Sequence, residues 1–89
     1  FAPHCAAKAA QAMLTRVLAR ALAPEIRVCG IAPGPVAVAR GQERRRAGET
    51  LLGRVGEPDD VADAVLYLVR AGFVTGTSLV VDGGRLLAR

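Results

Sequence analysis

The chain has 89 residues, 52% of them hydrophobic, 22% charged and 3% aromatic, with a formal net charge of +4. That composition suits one small folded domain and excludes a disordered tail, because apolar content this high collapses. No apolar run approaches the roughly 20 residues a membrane span needs, and the start, Phe1-Ala2-Pro3-His4, lacks the charged and apolar regions of a signal peptide.

In chain order, the first element is a helix over about Ala6 to Leu22. Ala6, Ala10, Met13, Leu14, Val17, Leu18 and Ala21 recur at helical spacing. Pro24 stops it, since a proline disfavours helix at the preceding residue. Ile26 to Ala32 is short, β-branched and mostly apolar, which predicts a strand buried on both faces of a parallel sheet, with Cys29 inside it. Pro33-Gly34-Pro35 ends that strand.

Ala37 to Gly56 is less periodic and holds Gly41, Gly48, Gly53 and Gly56 with most of the charge. It predicts a mobile excursion with a short helix over Glu43 to Leu52, of the kind that covers a site. A second long helix starts at Pro58, with Asp59 and Asp60 facing the positive end of its dipole. Arg70 stands in its last turn and Gly72 is the expected C-cap. Thr75-Gly76 marks a turn, Thr77 to Asp82 a second buried strand, and Gly83-Gly84 a strand-end turn with no helix after it. A strand, a crossover helix and a second strand make a βαβ unit with parallel strands. Two parallel strands alone leave both sheet edges open, and an Ala-rich core with three aromatic residues is thin. Both features imply other subunits or a larger fold.

Eleven of the twelve basic residues are Arg, and Lys8 is the only Lys. The run Arg44-Arg45-Arg46 lacks interleaved aromatic residues and zinc-finger spacing, so a solvated face is favoured over a nucleic-acid contact. Cys5 and Cys29 form no metal or redox motif and are expected as free thiols in a reducing cytoplasm; one His adds nothing toward a metal site.

These motifs together carry a resemblance. His4-Cys5-Ala6-Ala7-Lys8-Ala9-Ala10 resembles the active-site helix of the short-chain dehydrogenases/reductases, which a Tyr, three residues and a Lys open. In the same order, Ala32-Pro33-Gly34-Pro35-Val36 resembles the family's Pro-Gly loop after its sixth strand. Leu52-Gly53-Arg54-Val55-Gly56-Glu57-Pro58 resembles the lead-in to its last large helix. Phe73-Val74-Thr75-Gly76 and Val80-Val81-Asp82-Gly83-Gly84 resemble its C-terminal strand region. Phe73 to Gly76 with Asp82-Gly83-Gly84-Arg85 is similar to pteridine-reductase-like members.

The resemblance implies the C-terminal part of a Rossmann-like, doubly wound α/β fold. It implies hydride transfer between NADP or NAD and a small carbonyl or pterin-type substrate, in a homo-oligomer. Residues 1–89 are then one partial domain whose dinucleotide-binding half is absent, since the chain holds no G-x-x-x-G-x-G or G-x-G-x-x-G loop. Lys8 matches the family Lys that contacts the nicotinamide ribose, and Pro33, Gly34 and Val36 match the loop that lines the nicotinamide pocket. His4 stands where the family has its catalytic Tyr. An imidazole can give the proton, or the site is weakened or inactive. Cys29 replaces a common Asn and Val38 stands near a common Thr, which loosens the expected cofactor contacts. The alternative reading is a non-catalytic oligomerisation remnant of a reductase.

Overall fold

The computed structural model describes residues 2–88, except for the side chains of Ala2 and His4. Its elements are α1 (Ala2–Leu22), β1 (Gly30–Pro33), α2 (Glu43–Ala47), α3 (Pro58–Arg70) and β2 (Ser78–Val81), followed by a 3-10 turn over Arg85–Leu87. The strands pair in parallel, from Gly30 opposite Ser78 to Pro33 opposite Val81. Parallel neighbours need a crossover, and α3 supplies it, packed against both strands.

Strand alternation sorts the layers. Ile31 turns to α3, where it lines a groove with Val65, Leu68 and Val69. Gly30 turns the other way, and a methyl there would stand 3.5 Å from Thr15 Oγ1 of α1. A methyl on Gly76, just before β2, would likewise stand 3.5 Å from Ala19 Cβ. So α1 and α3 cover opposite faces, in the doubly wound α/β arrangement that the resemblance implies.

Several element boundaries differ from the sequence expectation. α1 starts at Ala2 rather than Ala6, and Pro3 suits a first turn where no N–H is needed. β1 starts at Gly30 rather than Ile26. The Val28 N–H donates to Thr75 Oγ1 (3.1 Å) rather than to a strand, and the Val28 carbonyl accepts from Gly76. Cys29 therefore precedes the strand and is only half-buried, its thiol 3.5 Å from the Val74 carbonyl. Pro33 is tolerated because it is the last strand residue and needs no ladder donor. α2 stops at Ala47 rather than Leu52, and Gly48 caps it. α3 is capped at Ala71 rather than Gly72. Gly83-Gly84 is followed by helix after all, but by one 3-10 turn of three residues.

Among the described residues, the buried apolar side chains are Ala19, Ala64 and Leu68, with Pro35 buried after β1. Met13, Leu14 and Val17 of α1, and Leu66 and Val69 of α3, are each more than half exposed. No helix among the described residues is long and apolar enough to cross a membrane.

Candidate active site at the strand ends

In open α/β sheets the crevice for ligands lies beyond the carboxyl ends of the strands. Here that edge is built from the turn after β1. The Gly34 N–H donates to the Val81 carbonyl (3.0 Å), and a methyl on Gly34 would reach 2.8 Å from Asp82 Cα. Only glycine lets the turn and the end of β2 approach so closely. Pro35 is buried, its carbonyl accepts from the Gly56 N–H (2.8 Å), and Val36 bridges to Gly56. The expected residues Pro33, Gly34 and Val36 thus sit together in a turn stitched to β2 on one side and to the approach of α3 on the other.

Helical spacing along α1 carries Lys8 toward this edge. Thr15 lies beside Gly30, and Ala19 beside Gly76, which is level with Val28. The helix therefore runs antiparallel to the strands. Lys8 is two turns before Thr15, about 10 Å along the axis. Pro33 is three residues past Gly30, also about 10 Å along the strand. Lys8 shares the sheet-facing stripe of Thr15 and Ala19 by helical spacing, so it stands level with the end of β1, where it is exposed. His4 lies one turn further out; its side chain is outside the described residues.

Residues 37–56 leave from this edge and return to it. Thr50, buried, organises the returning limb: its hydroxyl donates to the Arg54 carbonyl (2.9 Å) and accepts from the N–H groups of Gly53 and Arg54. The Leu52 N–H donates to the Gly83 carbonyl (3.1 Å). Arg54 then grips Asp60 of α3 with both guanidinium nitrogens, at 3.0 and 3.3 Å. Asp60 also accepts from the Glu57 N–H (2.7 Å). The Arg54 hydrogen bond, with that backbone N–H second, holds the Asp60 carboxyl below the usual carboxylate range. Pro35, Val36, Leu52, Arg54, Asp60 and Asp82 line a cleft of about 330 Å³ between limb and strands.

Three contributors escaped the sequence reading. Arg27 closes the C-terminus of α3, donating to the carbonyls of Leu68 (2.8 Å), Val69 (2.9 Å), Ala71 (2.9 Å) and Val74 (3.3 Å). No local pattern announces a partner so distant in sequence. Thr50 was likewise silent. The Arg54–Asp60 pair did have a signal, an acid at the third helical position with an arginine just upstream. Of the family departures, Val38 is half-buried in the outgoing limb.

A family model described as enoyl-(acyl carrier protein) reductase matches residues 1–85. The chain is 42% identical to the short-chain dehydrogenase/reductase homolog YusR of Bacillus subtilis over 90 residues, covering 96% of this chain and 70% of that one. It is 44% identical over 98 residues to 3beta-hydroxysteroid dehydrogenase 1 of Eggerthella lenta, covering 98% of this chain and 38% of the relative. Among solved structures, a small-chain dehydrogenase in complex with NADPH superposes with a TM-score of 0.81 at 37% identity, covering 90% of this chain and 41% of that chain. The chain therefore spans well under half the length of the last two.

Proposed function

The chain belongs to the short-chain dehydrogenase/reductase family, and on that premise we propose that it forms the strand-end part of an NAD(P)-dependent oxidoreductase acting on small carbonyl compounds. What supports this reading is the helical spacing that aligns Lys8 with Thr15 and Ala19, the α1 residues beside the strands, and so sets it level with the end of β1 and the Pro33 to Val36 turn.

The residues present fit the nicotinamide end of such a cofactor. Pro33 is exposed at the strand end and Val36 half-buried beside it, so both offer surface to a ring. Gly34 is closed by Asp82 and keeps the turn tight rather than opening a cradle. Lys8 brings an ammonium with three donors and no acceptor, suited to ribose hydroxyls. When bound there, a nicotinamide cofactor supplies hydride chemistry. His4, one turn before Lys8, takes the proton role that a Tyr holds in the family. The pyrophosphate has no counterpart in these 89 residues; in this reading a Gly-rich loop elsewhere in the assembled fold holds it. The NADPH complex of a solved relative supports the cofactor class.

A pterin-type substrate rests on Phe73 to Gly76 and Asp82 to Arg85. Thr75 accepts from the Val28 N–H, and Asp82 accepts from the N–H groups of Gly84 and Leu86. These are structural tasks, so simple ketones and aldehydes come first. The exposed apolar faces of α1 and α3 are, in this reading, where a second copy or the dinucleotide-binding half packs. Two free thiols, Cys5 exposed and Cys29 half-buried, suit a reducing cytoplasm.

The test follows NADPH and NADH oxidation on a panel of small carbonyl compounds by the assembled enzyme, dinucleotide-binding half included, with Lys8→Ala alongside. Carbonyl-dependent oxidation that Lys8→Ala removes supports the reading. A rate that Lys8→Ala leaves unchanged, or no carbonyl-dependent oxidation at all, overturns it.

A further inference from the structure

The turn after β1 is held at two points. The first is the Gly34 N–H on the Val81 carbonyl, at the end of β2. The second is Gly56, whose N–H donates to the Pro35 carbonyl (2.8 Å) and which bridges in parallel to Val36. Gly56 is also a spacer. A methyl on it would stand 2.9 Å from Val36 Cγ2 and 3.6 Å from Asp60 Oδ2. Val36 and the Asp60 carboxylate therefore both close on the space that a side chain at position 56 would take.

That carboxylate gathers the chain on both sides of Gly56. It accepts from two guanidinium nitrogens of Arg54 (3.0 and 3.3 Å) and from the Glu57 N–H (2.7 Å). Arg54 Nη1 also donates to the Val55 carbonyl (3.1 Å). Residues 54, 55 and 57 are thus tied, directly or through Arg54, to one carboxylate in the first turn of α3. Gly56 lies inside the short ring they form. Two parallel N–H bonds leave a guanidinium a single orientation on its carboxylate, so the ring fixes a direction. The direction fixed is that of the Gly56 N–H, and through it the Pro35 carbonyl and Val36.

Resting on the reductase reading for what Val36 faces, we propose that Arg54 and Asp60 are positioning residues: through Gly56 they set the Val36 wall against which a nicotinamide ring seats. The clamp then acts on the nicotinamide end of the dinucleotide and leaves the far end untouched.

The experiment uses the assembled enzyme, dinucleotide-binding half included, and reads binding rather than turnover. NADPH and NADH are each compared by calorimetry with the matching fragment that lacks nicotinamide, phospho-ADP-ribose or ADP-ribose. The preference for the whole cofactor measures how well the ring is seated. Arg54→Gln and Asp60→Ala are each expected to narrow that preference about tenfold, the worth of one good contact, with affinity for the fragment unchanged. Asp60→Glu keeps a carboxylate where helix starts favour one and is expected to retain the preference. Amide exchange followed by NMR reads the clamp itself: protection at Gly56 falls about tenfold in Arg54→Gln and Asp60→Ala. Protection at Gly34, which hangs on β2, stays at the parent level and shows that each variant is folded. An unchanged preference in both variants overturns the proposal. So does a fragment affinity that falls in step with the preference, or exchange that rises equally at Gly34 and Gly56, since both mark general loosening. If the parent binds cofactor and fragment equally, the reductase reading falls and takes the nicotinamide assignment with it; Gly56 exchange tells that failure apart from failure of the clamp.

Discussion

Gly34 and Asp82 meet backbone to backbone: a methyl on residue 34 would stand 2.7 Å from the Asp82 Cβ and 2.8 Å from its Cα. The two strand ends, and with them the turn that carries Pro33 and Val36, are therefore set by the absence of one side chain. Gly34→Ala is expected to destabilise the chain by about 1–3 kcal/mol, the usual cost of overpacking against atoms that cannot rotate away. A urea titration monitored by circular dichroism checks this. Gly72→Ala serves as the control, since a methyl there meets nothing within 4 Å.

Arg27 joins elements far apart in sequence, because its guanidinium takes the carbonyls that α3 leaves unpaired at its C-terminus. A cation there also meets the negative end of the helix dipole. Arg27→Ala is expected to cost about 1–2 kcal/mol, and Arg27→Lys to recover only part, since an ammonium cannot span the fork of acceptors. Hydrogen exchange locates the effect: the amides of the last turn of α3 and of residues 71–74 lose protection first.

Acid lowers stability through two carboxyls. The Asp60 carboxyl is held low chiefly by the Arg54 hydrogen bond, and the Glu49 carboxyl chiefly by the Arg46 hydrogen bond. Both release their protons more readily in the folded chain than in the unfolded one. Their contribution is complete above the ordinary carboxylate range and is lost as pH falls through the lowered folded values. The urea midpoint should hold near neutrality and drop below about pH 4. Asp60→Asn should lower the midpoint at neutral pH and shrink the acid drop. Molar salt should reduce both effects, because these groups are exposed to solvent screening.

Much of this was legible in the sequence where the governing physics is local. The start of α3 follows from Pro58, Asp59 and Asp60, whereas the apolar spacing of α1 marked a face with Met13, Leu14 and Val17 that the fold leaves more than half exposed, while Thr15 and Ala19 meet the strands. The Pro33-Gly34-Pro35 turn was visible as a strand stop. The start of β1 was not, because Ile26 to Cys29 has strand composition while its hydrogen-bond partners are a threonine side chain and a glycine amide near residue 75. The Arg27 cap, the Thr50 hub and the Gly34–Asp82 approach were hidden for the same reason. Each joins segments that only the fold brings together, and neither propensity nor periodicity encodes a distant partner.

His4 and Lys8 offer the sharpest functional test. One helical turn separates them on α1, which places both on one face by spacing. Lys8→Ala removes the ammonium that stands level with the end of β1. It is expected to lower kcat/KM for carbonyl reduction by about 100-fold or more, the scale of a positioned proton-transfer group and its partner. His4→Tyr supplies a longer acid at the same position and should raise the rate. His4→Phe distinguishes the roles: it keeps an aromatic ring without a proton to give. If His4→Phe retains the parent rate and pH profile, His4 has no part in proton transfer, and another group or water must serve.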